Sequence, residues 1–222
     1  MGARGIFPDV VLRRGAVVVT GTVLYSLIVS VILIVFALLV RRGLKRGGSG
    51  WPVAAEFLIE HLEGIMQEMS DSDPRSYTPL VGTMALFIGI SNLLGLAPGM
   101  RSPTADFSTT AALAVLVFLA VPFYGIRTRG VRGYLSHYAE PSPFLLPLEI
   151  VTEFSRTLAL AVRLFGNVMS EELIIAVLLM IAGLLIPVPL MLLAVLTGVV
   201  QAYIFAVLTV VYVSAAVRAH SS

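Results

Sequence analysis

The chain has 222 residues, of which 58% are hydrophobic and 13% charged, and a formal net charge of +2. Soluble domains carry about 25% charged residues, and disordered chains combine low hydrophobicity with high net charge, so this composition excludes both classes and points to a membrane protein. The lack of cysteine removes disulfides, thiolate metal sites and cysteine nucleophiles, while the basic residues sit mostly at the ends of apolar runs, which leaves no patch suited to nucleic acid.

Residues 17–40 are free of charge and exceed the apolar core of about 7–15 residues found in a cleaved signal. Arg41, Arg42, Lys45 and Arg46 follow with no small-residue cleavage pattern. The reading is a first transmembrane helix over 17–40, with a signal anchor as the alternative. Gly47, Gly48, Ser49 and Gly50 make a joint, and Trp51-Pro52 opens the next element. Over 52–69, Phe57, Leu58, Leu62, Ile65, Met66 and Met69 recur at helical spacing, with Glu56, Glu60, Glu63, Gln67 and Glu68 mostly off that stripe. This predicts an amphipathic helix lying on the membrane surface or docking a soluble partner. Its acidic charges favour a protein partner over anionic lipid.

Uncharged runs then give spans at 77–98 and 107–126, joined by a Pro/Gly-rich loop that includes Arg101. With the N-terminus outside and the C-terminus in the cytoplasm, Arg41, Arg42, Lys45, Arg46, Arg75, Arg127, Arg129, Arg132 and Arg218 fall on the inner face. Arg4, Arg13, Arg14 and Arg101 fall outside. That asymmetry is the one expected of a multi-pass protein of a bacterial plasma membrane.

Residues 173–217 carry no formal charge, about twice what one crossing needs, and Pro187-Val188-Pro189 divides them. The chain before the break reads as one helix over 143–186. At about 1.5 Å per residue it would reach roughly 66 Å, against a hydrocarbon core of about 30 Å. A rod of that length must tilt steeply or bend, with Gly166 and Gly183 as candidate bending points. After the break, a final helix over 189–217 carries Gly198, Ala202 and Ala206 at every fourth residue, a small-residue ridge that admits another helix closely.

The long helix holds Glu149, Glu153, Arg156, Arg163, Glu171 and Glu172 within or beside apolar sequence. Ionisable groups at membrane depth are costly and mark ion paths. At 100° per residue from Arg163, Glu149 and Asn167 fall at about +40°, Arg156 at about +20°, Glu153 and Glu171 at about +80°, and Glu172 at about 180°. All but the last share one stripe. Snorkelling to headgroups accounts for Glu149, Glu153 and Arg156 but poorly for Arg163, which has apolar residues on both sides. Gln201 is the most polar deep residue of the final helix. Spacing alone leaves open whether it does more than pack with one interhelical hydrogen bond.

Residues 155–167, reading SRTLALAVRLFGN, closely resemble the signature of subunit a of rotary F-type ATP synthases. Residues 201–209, QAYIFAVLT, resemble that family's second signature. Ser91-Asn92-Leu93-Leu94-Gly95-Leu96-Ala97-Pro98 followed by Pro103-Thr104 is similar to its turn after the second membrane helix, and Pro147-Leu148-Glu149-Ile150 to the opening of its long helix. The motifs occur in family order over residues 17–217. The resemblance implies an all-α polytopic membrane protein with one N-terminal transmembrane helix, an amphipathic surface helix, and two hairpins of long, steeply tilted helices against a ring of c subunits. It also implies a b-type peripheral stalk and, indirectly, an F1 sector as partners, with ATP chemistry outside this chain and no cofactor or metal within it.

The roles carried by the resemblance are an essential charge at Arg163 facing a c-subunit carboxylate, with Asn167 and Gln201 able to hold or hydrate its guanidinium. Glu172, Glu171, Glu149, Glu153 and Arg156 are candidates for lining two half-channels. Glu172 matches the family's ionisable position and is expected to face the final helix. Two residues depart from the pattern: Ala194 stands where members often carry an ionisable side chain, and Glu171 where a small residue is usual. The variant Met169-Ser170-Glu171 and the short N-terminus bring a sodium-coupled branch to mind as the alternative to H⁺ coupling. An unrelated secondary transporter would show internal repeats, which this chain lacks. A membrane hydrolase would need a nucleophile, metal cluster or phosphate loop, and His61, His137 and His220 have no ligand-like spacing.

Overall fold

A computed structural model describes residues 10–14, 17–45, 60, 63–64, 67, 77–97, 100–139, 146–183 and 185–218. In chain order these form β1 (Val10–Arg14), β2 (Val17–Thr20), α1 (Gly21–Lys45), α2 (Thr78–Gly95), a 3-10 turn (Pro103–Ala105), α3 (Phe107–Ala139), α4 (Leu146–Ala182) and α5 (Val188–Arg218). Among the described residues, five stretches are long and apolar enough to cross a membrane: Gly21–Gly43, Thr78–Gly95, Phe107–Thr128, Val151–Ala182 and Val188–Val217. Apart from one short hairpin, the protein is therefore an all-α polytopic membrane protein. The amphipathic helix expected over 52–69 lies outside the described residues except for Glu60, Glu63, Gly64 and Gln67, which are helical.

The first span begins later than hydropathy suggests. Residues 17–20 are strand β2, paired antiparallel with β1 in the register Arg14 opposite Val17, Arg13 opposite Val18, Leu12 opposite Val19 and Val10 opposite Thr20. A run of Val and Thr suits a pleated strand as well as an apolar helix, and hydropathy cannot separate the two. The helix takes over at Gly21 and continues through the basic cluster to Lys45.

The third span ends within two residues of the expected 126, at Thr128, but the helix that carries it runs further. Helix α3 passes Arg127 and reaches Ala139, with one break in helical geometry at Gly130 (φ 73°, ψ 166°). A backbone in that region needs a residue without a Cβ. Helix α4 is continuous over 37 residues, which makes it about 56 Å long. It stops short of 186 because Gly183 turns with φ 72°, whereas Gly166 stays inside the helix. Pro189 then falls in the first turn of α5, where a missing N–H costs nothing.

Packing follows the small-residue ridge. Helix α2 lies along α5, where a Cβ added to Gly198 would come within 3.0 Å of the Asn92 Cβ, and one added to Gly89 within 3.8 Å of the Ala202 Cβ. Helix α3 packs on both α4 and α5. The core sits at this four-helix junction, with Met84, Ile88, Val117, Leu160, Leu164 and Phe205 in one cluster and Tyr77, Val81, Val121, Val210 and Val213 in another. Helix α1 stands at the edge. Its Leu27, Val31, Ile34 and Leu39 are exposed, as side chains facing lipid are expected to be. Helices α4 and α5 meet over only a short seam, and there the candidate site forms.

Candidate functional site

Arg163 is carried on an exposed face of α4, next to Leu164, which is fully buried in the core. Among the described residues it makes no hydrogen bond or ion pair. Burying Leu164 on one side of the helix turns the guanidinium outward. A guanidinium is a planar cation with five donors.

One turn further on, Asn167 Nδ2 donates to Gln201 Oε1 at 3.0 Å, and Gln201 is buried in α5. The two amides join the first signature stretch to the second, and Gln201 bonds Asn167 rather than Arg163. Another turn on, Glu171 Oε1 accepts a hydrogen bond from Thr197 Oγ1 at 2.5 Å. Because α4 and α5 run antiparallel, a step of four residues up one helix matches four down the other, so these contacts form successive rungs.

Glu172 points elsewhere than expected. It faces the loop between α2 and α3, not the final helix. Its Oε1 accepts the backbone N–H of Ser102 at 2.6 Å, and its Oε2 lies 3.8 Å from Arg101 Nε. Glu171, about 100° away around the helix, is the acid that reaches α5. The helical wheel gave the angle between the acids correctly, but it could not say which neighbour occupies which side of the rod. Both carboxylates nevertheless line one cavity of about 220 Å³, enclosed by α4, α5 and the α2–α3 loop, with Ala194 on its wall. It has room for several waters and groups to hold them.

The loop is held by a buried chain of hydrogen bonds. Thr104 Oγ1 lies 2.6 Å from Ser102 Oγ and donates to Asn92 Oδ1 at 2.7 Å; Asn92 Nδ2 donates to the Gly198 carbonyl at 3.2 Å. Each buried polar group left unpaired would cost about 1–3 kcal/mol, so this chain fixes the loop, and with it Glu172, against α5. A Cβ on Gly95 would meet Ser102 Cβ at 2.8 Å and Glu172 Oε1 at 3.2 Å, so only glycine permits the close approach.

The other charged residues of the stripe lie apart from this cavity. Glu153 Oε2 is 3.6 Å from Arg156 Nη1, and the Arg156 guanidinium sits 5.7 Å from the Tyr212 ring centroid. Glu149 belongs to α4, but its side chain lies outside the described residues.

At the head of α3, Asp106 Oδ1 accepts the Ser108 backbone N–H and hydroxyl, each at 2.9 Å, and Oδ2 accepts the Thr22 hydroxyl at 2.8 Å. Burial opposes its charged form, but the Ser108 and Thr22 hydrogen bonds and the Arg101 charge outweigh it and hold the carboxyl below the ordinary aspartate range. Among the described residues no cluster of His, Asp or Glu is arranged to hold a metal.

Sequence reasoning missed Arg101, Ser102, Thr197 and Asp106 as partners of the site. It quoted Asn92 and Thr104 only as turn residues. Their signal was faint: a hydroxyl or amide inside an otherwise apolar helix, and one arginine in a loop.

A family model described as ATP synthase A chain matches residues 23–214. The ATP synthase subunit a 2 of a Picosynechococcus species is 44% identical over 202 residues, covering 90% of this chain and 87% of the relative. The ATP synthase subunit a of Nitrosospira multiformis is 44% identical over 215 residues, covering 95% and 86%. That of Legionella pneumophila strain Paris is 39% identical over 222 residues, covering 99% and 96%.

Proposed function

The chain belongs to the ATP synthase A chain family, and we propose from that premise that it carries H⁺ through two half-channels to and from carboxylates on a ring of c subunits. The observation that carries the reading is Arg163, a permanent charge on an exposed face at mid-helix with no partner among the described residues of its own chain. A guanidinium at membrane depth is stable only beside an acid or water. A protonated c-subunit carboxyl arriving at that face gives its proton to one half-channel, pairs with the guanidinium as a carboxylate, and takes a proton from the other half-channel before it rotates on into lipid. The fixed charge also blocks direct passage between the half-channels, so an ion must ride the ring. Each elementary charge moved through the membrane is worth about 2.3 kcal/mol per 100 mV.

The cavity at Glu171 and Glu172 serves as the half-channel on the outer side, since its wall includes Arg101 of the loop assigned outside. Glu149, Glu153 and Arg156 serve the cytoplasmic side. Asn167 and Gln201 fix the α4–α5 seam beside Arg163. The b-type stalk anchors the subunit against rotation, and the F1 sector performs the ATP chemistry.

The test is purification of the assembled complex and its reconstitution into liposomes. The expected outcome is co-purification with a ring of small two-helix subunits and ATP-driven acidification without sodium. Sodium-dependent transport insensitive to a protonophore would replace H⁺ by Na⁺, and absence of the ring would overturn the stator reading.

A further inference from the structure

Thr197 lies at the α4–α5 seam, outside every motif quoted above. Its Oγ1 is 2.5 Å from Glu171 Oε1, 3.1 Å from the Leu193 carbonyl and 3.2 Å from the Ala194 carbonyl. A threonine in a helix commonly bonds the carbonyl four residues back, as Thr83 does with Pro79 and Thr209 with Phe205. What sets Thr197 apart is a third oxygen, belonging to a carboxyl group on another helix. A hydroxyl has one proton and two lone pairs, so it donates to only one of the three at a time.

This arithmetic gives two complete arrangements. With Glu171 ionised, the Thr197 proton points at Oε1, a charge-assisted bond. With Glu171 protonated, its own O–H donates to Thr197 Oγ1, and the threonine proton turns to the Leu193 or Ala194 carbonyl already in reach. Only the proton on Glu171 arrives or leaves; the threonine keeps its own and rotates it. We propose that Thr197 is a positioning residue for Glu171, holding the carboxyl at the α4–α5 seam in both protonation states by exchanging the roles of donor and acceptor.

Two further features support this. Ala194, one turn earlier on α5, gives Glu171 no polar group, so the hydroxyl is its hydrogen-bond partner from that helix. The next residue, Gly198, is pinned by Asn92 Nδ2 on its carbonyl at 3.2 Å, with the Asn92 Cβ within 3.0 Å of where a Cβ would stand. That fixes the height of Thr197 against α4. The charged groups near Glu171 are Glu172 beside it on α4, Arg101 from the α2–α3 loop, and Arg163 two turns earlier; α5 and α2 contribute none at this level.

The inference rests on the ion-translocating reading, and the test separates the two. Intact complexes carrying Thr197→Val, Thr197→Ser, Glu171→Gln, the Glu171→Gln/Thr197→Val pair and Arg163→Ala are reconstituted, and ATP-driven pumping is followed across a pH series. Thr197→Val should lower the initial rate about tenfold and move the pH profile, Thr197→Ser should recover most of the rate, and valine should add no further loss once Glu171 is glutamine. A valine variant with the original rate and profile, a serine variant as poor as valine, or additive losses in the pair would each overturn the inference. So would a valine variant that fails to assemble while Glu171→Gln assembles, because the residue then packs rather than positions. Pumping by Arg163→Ala would instead strike down the stator reading.

Discussion

Two stretches of α4, less than three turns apart, treat their polar groups in opposite ways. From Asn167 to Glu172 every amide and carboxylate has a partner within the chain: Gln201, Thr197, Ser102 and Arg101. At Arg163, one turn before, a permanent charge has none among the described residues. The paired stretch is satisfied within this chain, whereas in the proposed function the unpaired one is half of an interaction with another subunit. In a low-dielectric medium an uncompensated charge costs several kcal/mol, which is why the proposed function assigns its counterpart to a neighbouring subunit. A neighbouring subunit that brings a carboxylate past this face can be drawn in and released in turn.

The sharpest way to break this contrast is Arg163→Ala. With no partner to lose among the described residues, the subunit should fold and assemble as before while coupled transport falls about a hundredfold or more. Arg163→Lys should also fail, because an ammonium lacks the planar fork and sheds its proton when desolvated. Pumping in vesicles together with recovery of the ring measures both. Normal pumping by the alanine variant would remove the distinction between the two stretches.

Glu172→Gln comes next. The amide oxygen still accepts the Ser102 N–H, but Arg101 loses its counter-charge and the cavity an ionisable group. Transport should slow about tenfold, and its pH dependence should change. A variant indistinguishable from the parent over a pH series would demote Glu172 to a tether for the loop.

Gln201→Leu should have a smaller effect. It removes one neutral hydrogen bond to Asn167, worth about 1 kcal/mol, and leaves Arg163 untouched. A rate reduced only a few-fold with assembly intact is expected. Abolished transport would mean that Gln201 acts on Arg163 itself.

The smallest effect falls outside both stretches, at the Thr22–Asp106 link between α1 and the head of α3. The Asp106 carboxyl is held below its ordinary value of 3.8. Its contribution to stability is therefore complete above that pH and fades as pH falls through the depressed value. Thr22→Val should lower thermal stability by about 1 kcal/mol at neutral pH and leave pumping unchanged. The difference from the parent should shrink in strong acid. A stability gap that persists there would assign the link to packing.

The amino-acid sequence alone determined a great deal here because apolar runs, charges and prolines act locally. Length and hydropathy specified five crossings, Pro187 and Pro189 the last reversal, and the every-fourth-residue glycine and alanines the ridge on which α2 packs. The motif around Arg163 pointed to the family. Local pattern failed where two local structures share one hydropathy, as in residues 17–20, which form a strand. It failed also where a property belongs to two segments at once. A helical wheel places Glu171 and Glu172 about 100° apart, but only the packed helices decide that Glu171 meets Thr197 and Glu172 meets Ser102 and Arg101. Those partners lie 26, 70 and 71 residues away along the chain, a separation that no periodicity encodes. They become neighbours only when side chains interlock around Met84, Ile88, Leu164 and Phe205 and fix the rotation of each helix.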